Sequence, residues 1–249
     1  MTLQEDPKDI VVVGAARTPQ GRMLGALAKK SSVDLGAETI KAVLERSGVA
    51  AGDVDYVLMG QVVQAGSGQN PAKQSAVAAG IPMNVPAMTV NKVCLSGLDA
   101  VINASRLIRL GDASIVVAGG QESMTNAPHI AAGVRAGKGY GSLALQDSLE
   151  RDGLSDPNEG TAMGLETDEG NAERGITREE QDEIAARSHQ LAEAATNEGV
   201  FAEEIVPIEV KGRKETVTVT ADEGIRPGTT AEGLATVSYT HLTLPTSDL

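Results

Sequence analysis

The chain has 249 residues, 41% of them hydrophobic, and its 21 basic against 34 acidic side chains give a formal net charge of −13. This composition is typical of a globular protein, and the acidic balance excludes nucleic-acid and anionic-membrane surfaces, which need basic patches. One cysteine and three histidines exclude a disulfide framework and a Cys/His zinc cluster, so we expect no metal centre. Neither a signal peptide nor a membrane span is predicted, because the start is polar and no later apolar segment is long enough; we therefore expect a cytoplasmic location.

Short apolar runs alternate with helical patterns through the first half of the chain. The run Ile10–Val13, closed by Gly14, predicts a strand that is buried on both faces. Apolar residues at helical spacing then predict a helix that ends at Gly48. Five elements are predicted next, in the order strand, helix, strand, helix, strand: Val57–Gln64, Asn70–Ala79, Val85–Val93, Leu98–Ile108 and Ser114–Val117. In the second of these helices Leu98, Val101, Ile102, Ser105 and Ile108 share one face, and Gly111-Asp112 is predicted to end it. Such alternation predicts an α/β fold, with a parallel or mixed sheet covered by helices on both faces.

The pattern weakens between residues 122 and 175, where Gly, Ser, Asp and Asn become frequent. We interpret this stretch as an inserted, loop-rich region with apolar side chains to bury, namely Leu143, Leu145, Leu149, Leu154, Met163 and Leu165. Thr177 and Glu180 form a capping box that starts a helix through about Asn197. We expect this helix to bury Ile184, Ser188, Leu191 and Ala195. Two strands, Glu204–Glu209 and Thr216–Val219, are predicted to follow.

Cys94 lies between a predicted strand and a predicted helix. A strand-to-helix turn raises a side chain above the sheet edge, where the active sites of open α/β sheets gather. The nearby helix N-terminus favours thiolate over thiol, and the small residues Ser96 and Gly97 leave room for a substrate. These features are typical of an activated nucleophile, and the alternative is a buried, inert cysteine.

The sequence around Cys94, Val90–Val101, resembles the nucleophile signature of the thiolases. Further segments resemble the family in the same order and at similar spacing: Ala15–Gly21, Met59–Gln64, Gln69–Gln74, Gly119–Pro128, Gly175–Glu183, Glu204–Pro207 and Asp222–Pro227. The resemblance implies a thiolase-like fold, of which this chain supplies the N-terminal half, a mixed sheet covered by helices with an inserted loop-rich CoA-binding region. It implies a core over residues 1–121 and a loop domain with the end of this half over residues 122–235. Residues 236–249 depart from the family pattern, and we expect them to be a sequencing artefact.

The resemblance also implies the chemistry. A thiolase transfers an acyl group through a thioester on its cysteine, here Cys94, condensing two acetyl-CoA or cleaving a 3-ketoacyl-CoA with CoA. Leu154 and Met163 would line the tunnel for the pantetheine of CoA, and Arg226 would lie by its adenine and phosphates. For Leu154 and Met163, a place in the ordinary core is the alternative. CoA and acyl-CoA are substrates here, and no resident cofactor is expected.

The resemblance also bears on the activity of the chain alone and on its assembly. In thiolases the activating histidine, the second cysteine and an asparagine-held water come from the second half, so we expect the chain alone to be inactive. The complete enzyme is expected to be a homodimer or homotetramer, with contacts near Gln69–Gln74 and Ala131–Tyr140. The alternatives are an inactive fragment that only partly folds, or a ketoacyl synthase-like condensing enzyme, which the CoA-side motifs disfavour. Structural roles are expected for His129 and His189, and a solvated turn for Lys211–Lys214.

Overall fold

The computed structural model describes residues 9–236 of the chain. The helices are α1 (Ser32–Ser47), α2 (Pro71–Ala78), α3 (Ser96–Leu110), α4 (Met163–Glu173), α5 (Arg178–Asn197) and α6 (Ala231–Leu234). The strands are β1 (Tyr56–Gly60), β2 (Ala87–Val90), β3 (Val116–Gly120), β4 (His129–Ile130), β5 (Gln146–Asp147), β6 (Ile208–Lys211) and β7 (Thr216–Val219). One π-helical turn covers Glu150–Leu154. Among the described residues, no helix is long and apolar enough to span a membrane.

A three-stranded sheet of order β2-β1-β3 forms the centre of the described chain. Both strand pairs are parallel, and Val57 of β1 lies opposite Ala87 on one side and Val117 on the other. The middle strand is almost entirely apolar, and Val57 and Leu58 are fully buried because helices cover both faces of the sheet. The predicted βαβ organisation is confirmed.

Different helices cover the two faces. Helices α1 and α2 pack on the face that carries Val57 and Met59, with Ile40 buried between them and the sheet. Helix α3 packs on the opposite face, where Ala100 and Ala104 lie against Leu58. The alanines let the axis of α3 approach the sheet closely, and the result is a three-layer α/β/α unit.

The predicted helix ends agree with the structure where capping chemistry defines them. Gly48 and Gly111 adopt the left-handed conformation that ends α1 and α3. Thr177 and Glu180 form both hydrogen bonds of the predicted capping box at the start of α5. Lys211–Lys214 lies at the turn of the β6–β7 hairpin, as predicted.

A cluster of charges joins the two ends of the described chain. The Arg17 guanidinium binds both carboxylate oxygens of Asp222, at 2.8 and 3.0 Å, and Glu204 at 2.7 Å. It also lies 5.3 Å from the centre of the Phe201 ring. The hydrogen bonds that Arg17 donates to Asp222 are the main reason that the pKa of Arg17 is raised. This arrangement, the Arg17 clip, holds the segment before α1 against the segments on either side of the β6–β7 hairpin.

The prediction of a buried strand at Ile10–Val13 is wrong. The segment has no strand pairing, and Val11, Val12 and Val13 are 64–82% exposed. A strand needs a hydrogen-bonded neighbour, yet a cavity of about 430 Å³ lies between Val12 and β3. Within residues 9–236, β3 therefore pairs only with β1.

Several strand ends were also placed wrongly. β1 ends at Gly60 rather than Gln64, β2 is limited to Ala87–Val90, and β3 runs on to Gly120. The first strand of the hairpin begins at Ile208 rather than Glu204. Apolar character extends beyond the ladder hydrogen bonds of β1, β2 and β6, whereas the last two residues of β3 are paired glycines, so hydropathy alone misplaces these ends.

The predicted buried face of α5 is wrong, and the apolar face noted on α3 is not the one that meets the sheet. On α5 the structure buries Asp182 and Ala186, whereas Ile184 and Leu191 are exposed. On α3 the small residues face the sheet and the large ones, Leu98, Val101 and Ile102, are exposed. Of the loop-region side chains expected to be buried, only Leu149 is buried. The periodicity correctly predicted helices but did not determine which face meets the sheet.

Candidate active site

The carboxyl ends of the three parallel strands meet at one edge of the sheet, and each strand is followed by an amide side chain. Gln61 follows β1, Asn91 follows β2 and Gln121 follows β3. The register pairs Gly60 with Val90 and with Gly120, so the three amides start from one level of the sheet. This carboxyl edge is where ligands bind in open α/β sheets.

Cys94 lies in a tight turn at this edge, between β2 and α3. The residue before it, Val93, has a φ of 50°, which is strained for a β-branched side chain. The Val93 N–H donates to Asn91 Oδ1 at 3.0 Å, and the Lys92 N–H donates to Ser96 Oγ at 2.8 Å. Ser96 is buried and donates its hydroxyl back to the Val93 carbonyl. Side-chain hydrogen bonds thus hold the strained turn closed.

The start of α3 lies very close to β1. A Cβ added at Gly60 would come within 2.5 Å of the Gly97 nitrogen and of the Ser96 carbonyl carbon. The absence of a side chain at Gly60 is what lets the helix begin beside the sheet edge. Cys94 precedes the first helical residue by two positions, and it is exposed. An exposed thiol beside a helix N-terminus can act as a nucleophile toward a molecule that approaches from solvent.

An ion pair crosses the turn. Lys92 Nζ lies 2.9 Å from Asp99 Oδ1, which belongs to the first turn of α3. The hydrogen bond from Lys92 is the main reason that the pKa of Asp99 is lowered, and Asn103 donates to its other oxygen. Asp99 also complements the positive end of the helix dipole.

A buried polar network underlies the same edge. Gln121 accepts a hydrogen bond from the Ser75 hydroxyl at 2.7 Å and donates to Gln61 Oε1 at 3.2 Å. Gln61 in turn donates to the Val63 carbonyl and to Ser67. Buried amides with satisfied hydrogen bonds fix a backbone rigidly, so this network orders the loop that follows β1.

Glu122 is a half-buried carboxyl at this edge. Its Oε2 accepts the Val62 N–H at 2.7 Å and the Val63 N–H at 3.3 Å. Its other oxygen, Oε1, is buried and has no hydrogen-bond partner within residues 9–236. Burial raises the pKa of Glu122, although the hydrogen bonds from Val62, Val63 and Ser123 act in the opposite direction.

The structure brings Leu154 and Met163 to the two ends of one small loop. Ser155 and Ala162, the residues just inside them, form an antiparallel bridge that closes the loop. Leu154 is half-buried and Met163 is exposed, so neither lies in the described core. Gly153 lies against the side chains of Val62 and Val63, and so the loop borders the carboxyl edge of the sheet.

Arg226 lies elsewhere among the described contacts. It is exposed, and its backbone N–H donates to His189 Nδ1 of α5 at 3.2 Å. Gly228, two residues on, donates to Glu193 of the same helix. The contacts of Arg226 are therefore with α5, and no described contact joins it to the Cys94 turn.

Five cavities of about 230 to 740 Å³ lie among residues 9–236, and Cys94, Leu154, Met163 and Arg226 line none of these five. Cys94 itself is exposed to solvent. In the described part of the chain, no cluster of three or more His, Cys, Asp or Glu side chains could hold a metal ion.

Comparisons with known proteins identify the family. The "Thiolase, N-terminal domain" family matches residues 10–241. The chain belongs to the thiolase family. Its thiolase-like fold is also supported by a crystal structure of the Bacillus anthracis acetyl-CoA acetyltransferase, which superposes with a TM-score of 0.87 at 36% identity and covers 92% of this chain.

Curated thiolases extend well beyond the present sequence. A probable acetyl-CoA acetyltransferase of Mycobacterium leprae is 52% identical over 226 residues, and an acetyl-CoA acetyltransferase of Cupriavidus necator is 50% identical over 228 residues. These matches cover 90% and 91% of this chain but 58% of each relative. The chain therefore spans less than two thirds of the length of these thiolases. The predicted boundaries at residues 121 and 235 stay predictions, and most of the predicted 236–249 tail lies outside the described residues.

Sequence reasoning missed Glu122, Asn91 and the Gln61–Gln121 pair as parts of the site. Glu122 and Asn91 lie inside the family-like segments, but their partners are backbone groups of another loop, which no local pattern reveals. The predicted strand ends hid the pattern, because Gln61 and Asn91 lie inside the predicted strands and only the observed strand ends show an amide directly after each one. Parallel strands bring such residues to one edge.

Proposed function

We propose that this chain is the nucleophile-bearing part of a thiolase-type acyltransferase. The Cys94 thiolate attacks the carbonyl carbon of acetyl-CoA, the carbon–sulfur bond to CoA breaks, and CoA leaves as a thiolate that takes up a proton. The α-carbanion of a second acetyl-CoA then attacks the acetyl-Cys94 carbonyl, which releases the Cys94 thiolate and forms acetoacetyl-CoA. In the reverse direction, CoA cleaves a 3-ketoacyl-CoA through the same acyl-cysteine.

One observation carries this proposal: the exposed Cys94 thiol lies in a strained turn at the carboxyl edge of the sheet, two positions before α3. The unpaired N–H groups at a helix start stabilise negative charge on a nearby sulfur. A thiolate is the reactive form of cysteine, so this position favours attack on a thioester. The names of the relatives, acetyl-CoA acetyltransferases, support the substrate class.

CoA contacts are part of the same proposal. We assign the pantetheine to the loop bounded by Leu154 and Met163, because this loop borders the segment that also contacts the Cys94 turn. Arg226, exposed on the surface, is assigned to the adenine and phosphates on the family resemblance alone. CoA and acyl-CoA are substrates in this proposal, and no resident cofactor is needed.

The oligomeric state, location and metabolic role of the enzyme are also part of the proposal. A homodimer or homotetramer is supported by the full exposure of Tyr140 in a segment that resembles a family contact region. A cytoplasmic location and a role in fatty acid metabolism rest on the family resemblance and on the single cysteine, which allows no intrachain disulfide.

Mass mapping tests the proposal directly. Isotopically labelled acetyl-CoA is incubated with the product of the full-length gene, and the label is expected on Cys94. Cys94→Ser should abolish both labelling and turnover, because serine lacks an acidic thiol, whereas Lys92→Gln beside it should still label. A label on serine or lysine in the unmodified protein would contradict the mechanism.

The 249-residue chain alone is expected to show no acetoacetyl-CoA cleavage. It contains one cysteine, whereas the thiolase mechanism needs a second one, and general acid–base help contributes a factor of about 10² to 10⁴. Cleavage by the purified chain would show that the catalytic groups have been assigned wrongly.

A further inference from the structure

The backbone of Val62 and Val63 is the meeting point of three parts of the carboxyl edge. Glu122 Oε2 accepts both of its N–H groups. On another side, the Asn91 side chain donates to the Val62 carbonyl at 3.2 Å. Gly153 of the Leu154 loop packs against both valine side chains.

Asn91 connects this segment to the cysteine turn. Its side-chain nitrogen holds the Val62 carbonyl, while its side-chain oxygen holds the N–H of Val93, the strained residue before Cys94. A strained backbone persists only where its surroundings over-determine it. The Val62 peptide, held by Glu122 on one side and Asn91 on the other, supplies part of that constraint.

Glu122 is poorly placed for a purely stabilising role. One of its carboxylate oxygens is buried without a partner in the described chain, and burial raises its pKa. A half-buried carboxyl with one unpaired oxygen costs stability, so its presence at this position points to a role other than stabilising the fold. Its hydrogen bonds lead to the backbone beside the cysteine turn.

We propose that Glu122 is a positioning residue for the Cys94 nucleophile, acting through the Val62 peptide and Asn91. It fixes the turn so that the thiol stays at the start of α3, and it keeps the Leu154 loop at the same distance from the turn. This inference rests on the proposed function, because positioning matters to catalysis only if Cys94 is the nucleophile.

The rate of Cys94 alkylation by iodoacetamide tests the proposal on the 249-residue chain itself. Cys94 is the only cysteine, so every label reports on this turn. Glu122→Met keeps the side-chain length but removes the acceptor, and we expect alkylation to slow by about threefold or more as the thiol leaves the helix start. Glu122→Gln keeps one acceptor oxygen and should restore the rate to within about twofold of the unmodified chain.

Asp55→Ala is the matched control. Asp55 accepts two consecutive backbone N–H groups, as Glu122 does, but at the opposite edge of the same sheet. The control should lower stability while leaving the alkylation rate unchanged. If it slows alkylation as much as Glu122→Met, the effect is general loosening of the fold and the proposal is wrong.

Asn91→Ala tests the route without changing the Glu122 carboxyl. It should slow alkylation by a similar factor, and the Glu122→Met/Asn91→Ala double variant should be no slower than either single one, since both act along one path. Additive effects of the two substitutions on the alkylation rate, or an unchanged rate in Asn91→Ala, would overturn the proposal. If Glu122→Met fails to fold, the rate of Asn91→Ala decides the matter. The alkylation assay uses no CoA. A failure of acetyl labelling with these rates as expected would therefore refute the proposed function and not the coupling.

Discussion

Asp55 and Glu122 lie at opposite edges of the central sheet and make the same pair of hydrogen bonds. One oxygen of Asp55 accepts the N–H groups of Ser114 and Ile115, and one oxygen of Glu122 accepts those of Val62 and Val63. Yet the pKa of Asp55 is lowered, chiefly by the hydrogen bonds from Ile115 and Ser114, whereas burial raises the pKa of Glu122. The difference comes from solvent: the exposed carboxylate of Asp55 keeps its hydration, whereas the half-buried carboxyl of Glu122 loses part of it.

The comparison extends to the surroundings of the two groups. At the amino edge, Gly52 has open space around it and the nearby turns are exposed. At the carboxyl edge, the backbone of Gly60 lies against the backbone of Ser96 and Gly97, Val93 is strained, and one carboxyl oxygen of Glu122 is buried without a partner in the described chain. Departures from the most stable arrangement collect at the edge that carries the candidate nucleophile, as expected where function competes with stability.

The largest expected effect on stability is the contrast between two glycine-to-alanine substitutions, one at each edge of the sheet. Gly60→Ala should lower the free energy of unfolding by about 3 kcal/mol or more, because its Cβ would meet the backbone of Ser96 and Gly97. Gly52→Ala, with no heavy atom within 4 Å of its Cβ, should change it by less than about 0.5 kcal/mol. Urea unfolding of both variants measures this contrast. Equal losses of unfolding free energy would contradict the proposed difference between the two edges.

A smaller effect is expected from relieving the strain before Cys94. Val93→Gly should raise the free energy of unfolding by about 0.5 to 1 kcal/mol, the balance of left-handed strain against the entropy of glycine. It should also slow Cys94 alkylation, because the turn loses its constraint.

Leu24→Gly is the control for that variant. Leu24 has a φ of 58° and lies in another turn, so it should gain similar stability without any change in alkylation. If Cys94 in the Val93→Gly variant is alkylated at the rate of the unmodified chain, the strain at residue 93 has no effect on the reactivity of the thiol.

The smallest effects are opposite pH slopes of stability. The folded pKa of Asp55 lies below its ordinary value of 3.8, so its stabilising contribution is present above that pH and is lost as the pH falls through the folded value. The folded pKa of Glu122 lies above its ordinary value of 4.5, so stability is lost as the pH rises through the folded value. The free energy of unfolding is measured from pH 2.5 to 7 for the unmodified chain, for Asp55→Asn and for Glu122→Gln. The difference between the unmodified chain and Asp55→Asn should change with pH in the opposite direction to the difference between the unmodified chain and Glu122→Gln. Parallel curves would contradict the burial argument.

The sequence predicted the parts of the fold that local chemistry determines. The caps at Gly48, Gly111 and Thr177 are local, and they were placed correctly. The position of Cys94 between strand and helix follows from the order of elements and was also predicted.

What failed depended on contacts between distant segments. Hydropathy cannot tell that Val11–Val13 would find no strand beside them, nor that α3 meets the sheet through Ala100 and Ala104. Glu122 was missed for the same reason, since its partners lie 59 and 60 residues away in the chain. Its role can be seen only after the sheet has brought the strand ends together.

The Arg17 clip bears on the order in which the chain folds during synthesis. Arg17 and Asp222 are separated by 205 residues, so a ribosome that adds roughly 5 to 20 residues per second leaves the guanidinium unpaired for about 10 to 40 seconds. The central βαβ units, whose contacts are more local, can form long before that. The segment that precedes α1 is thus among the last to be secured, although it is synthesised before the sheet that it flanks.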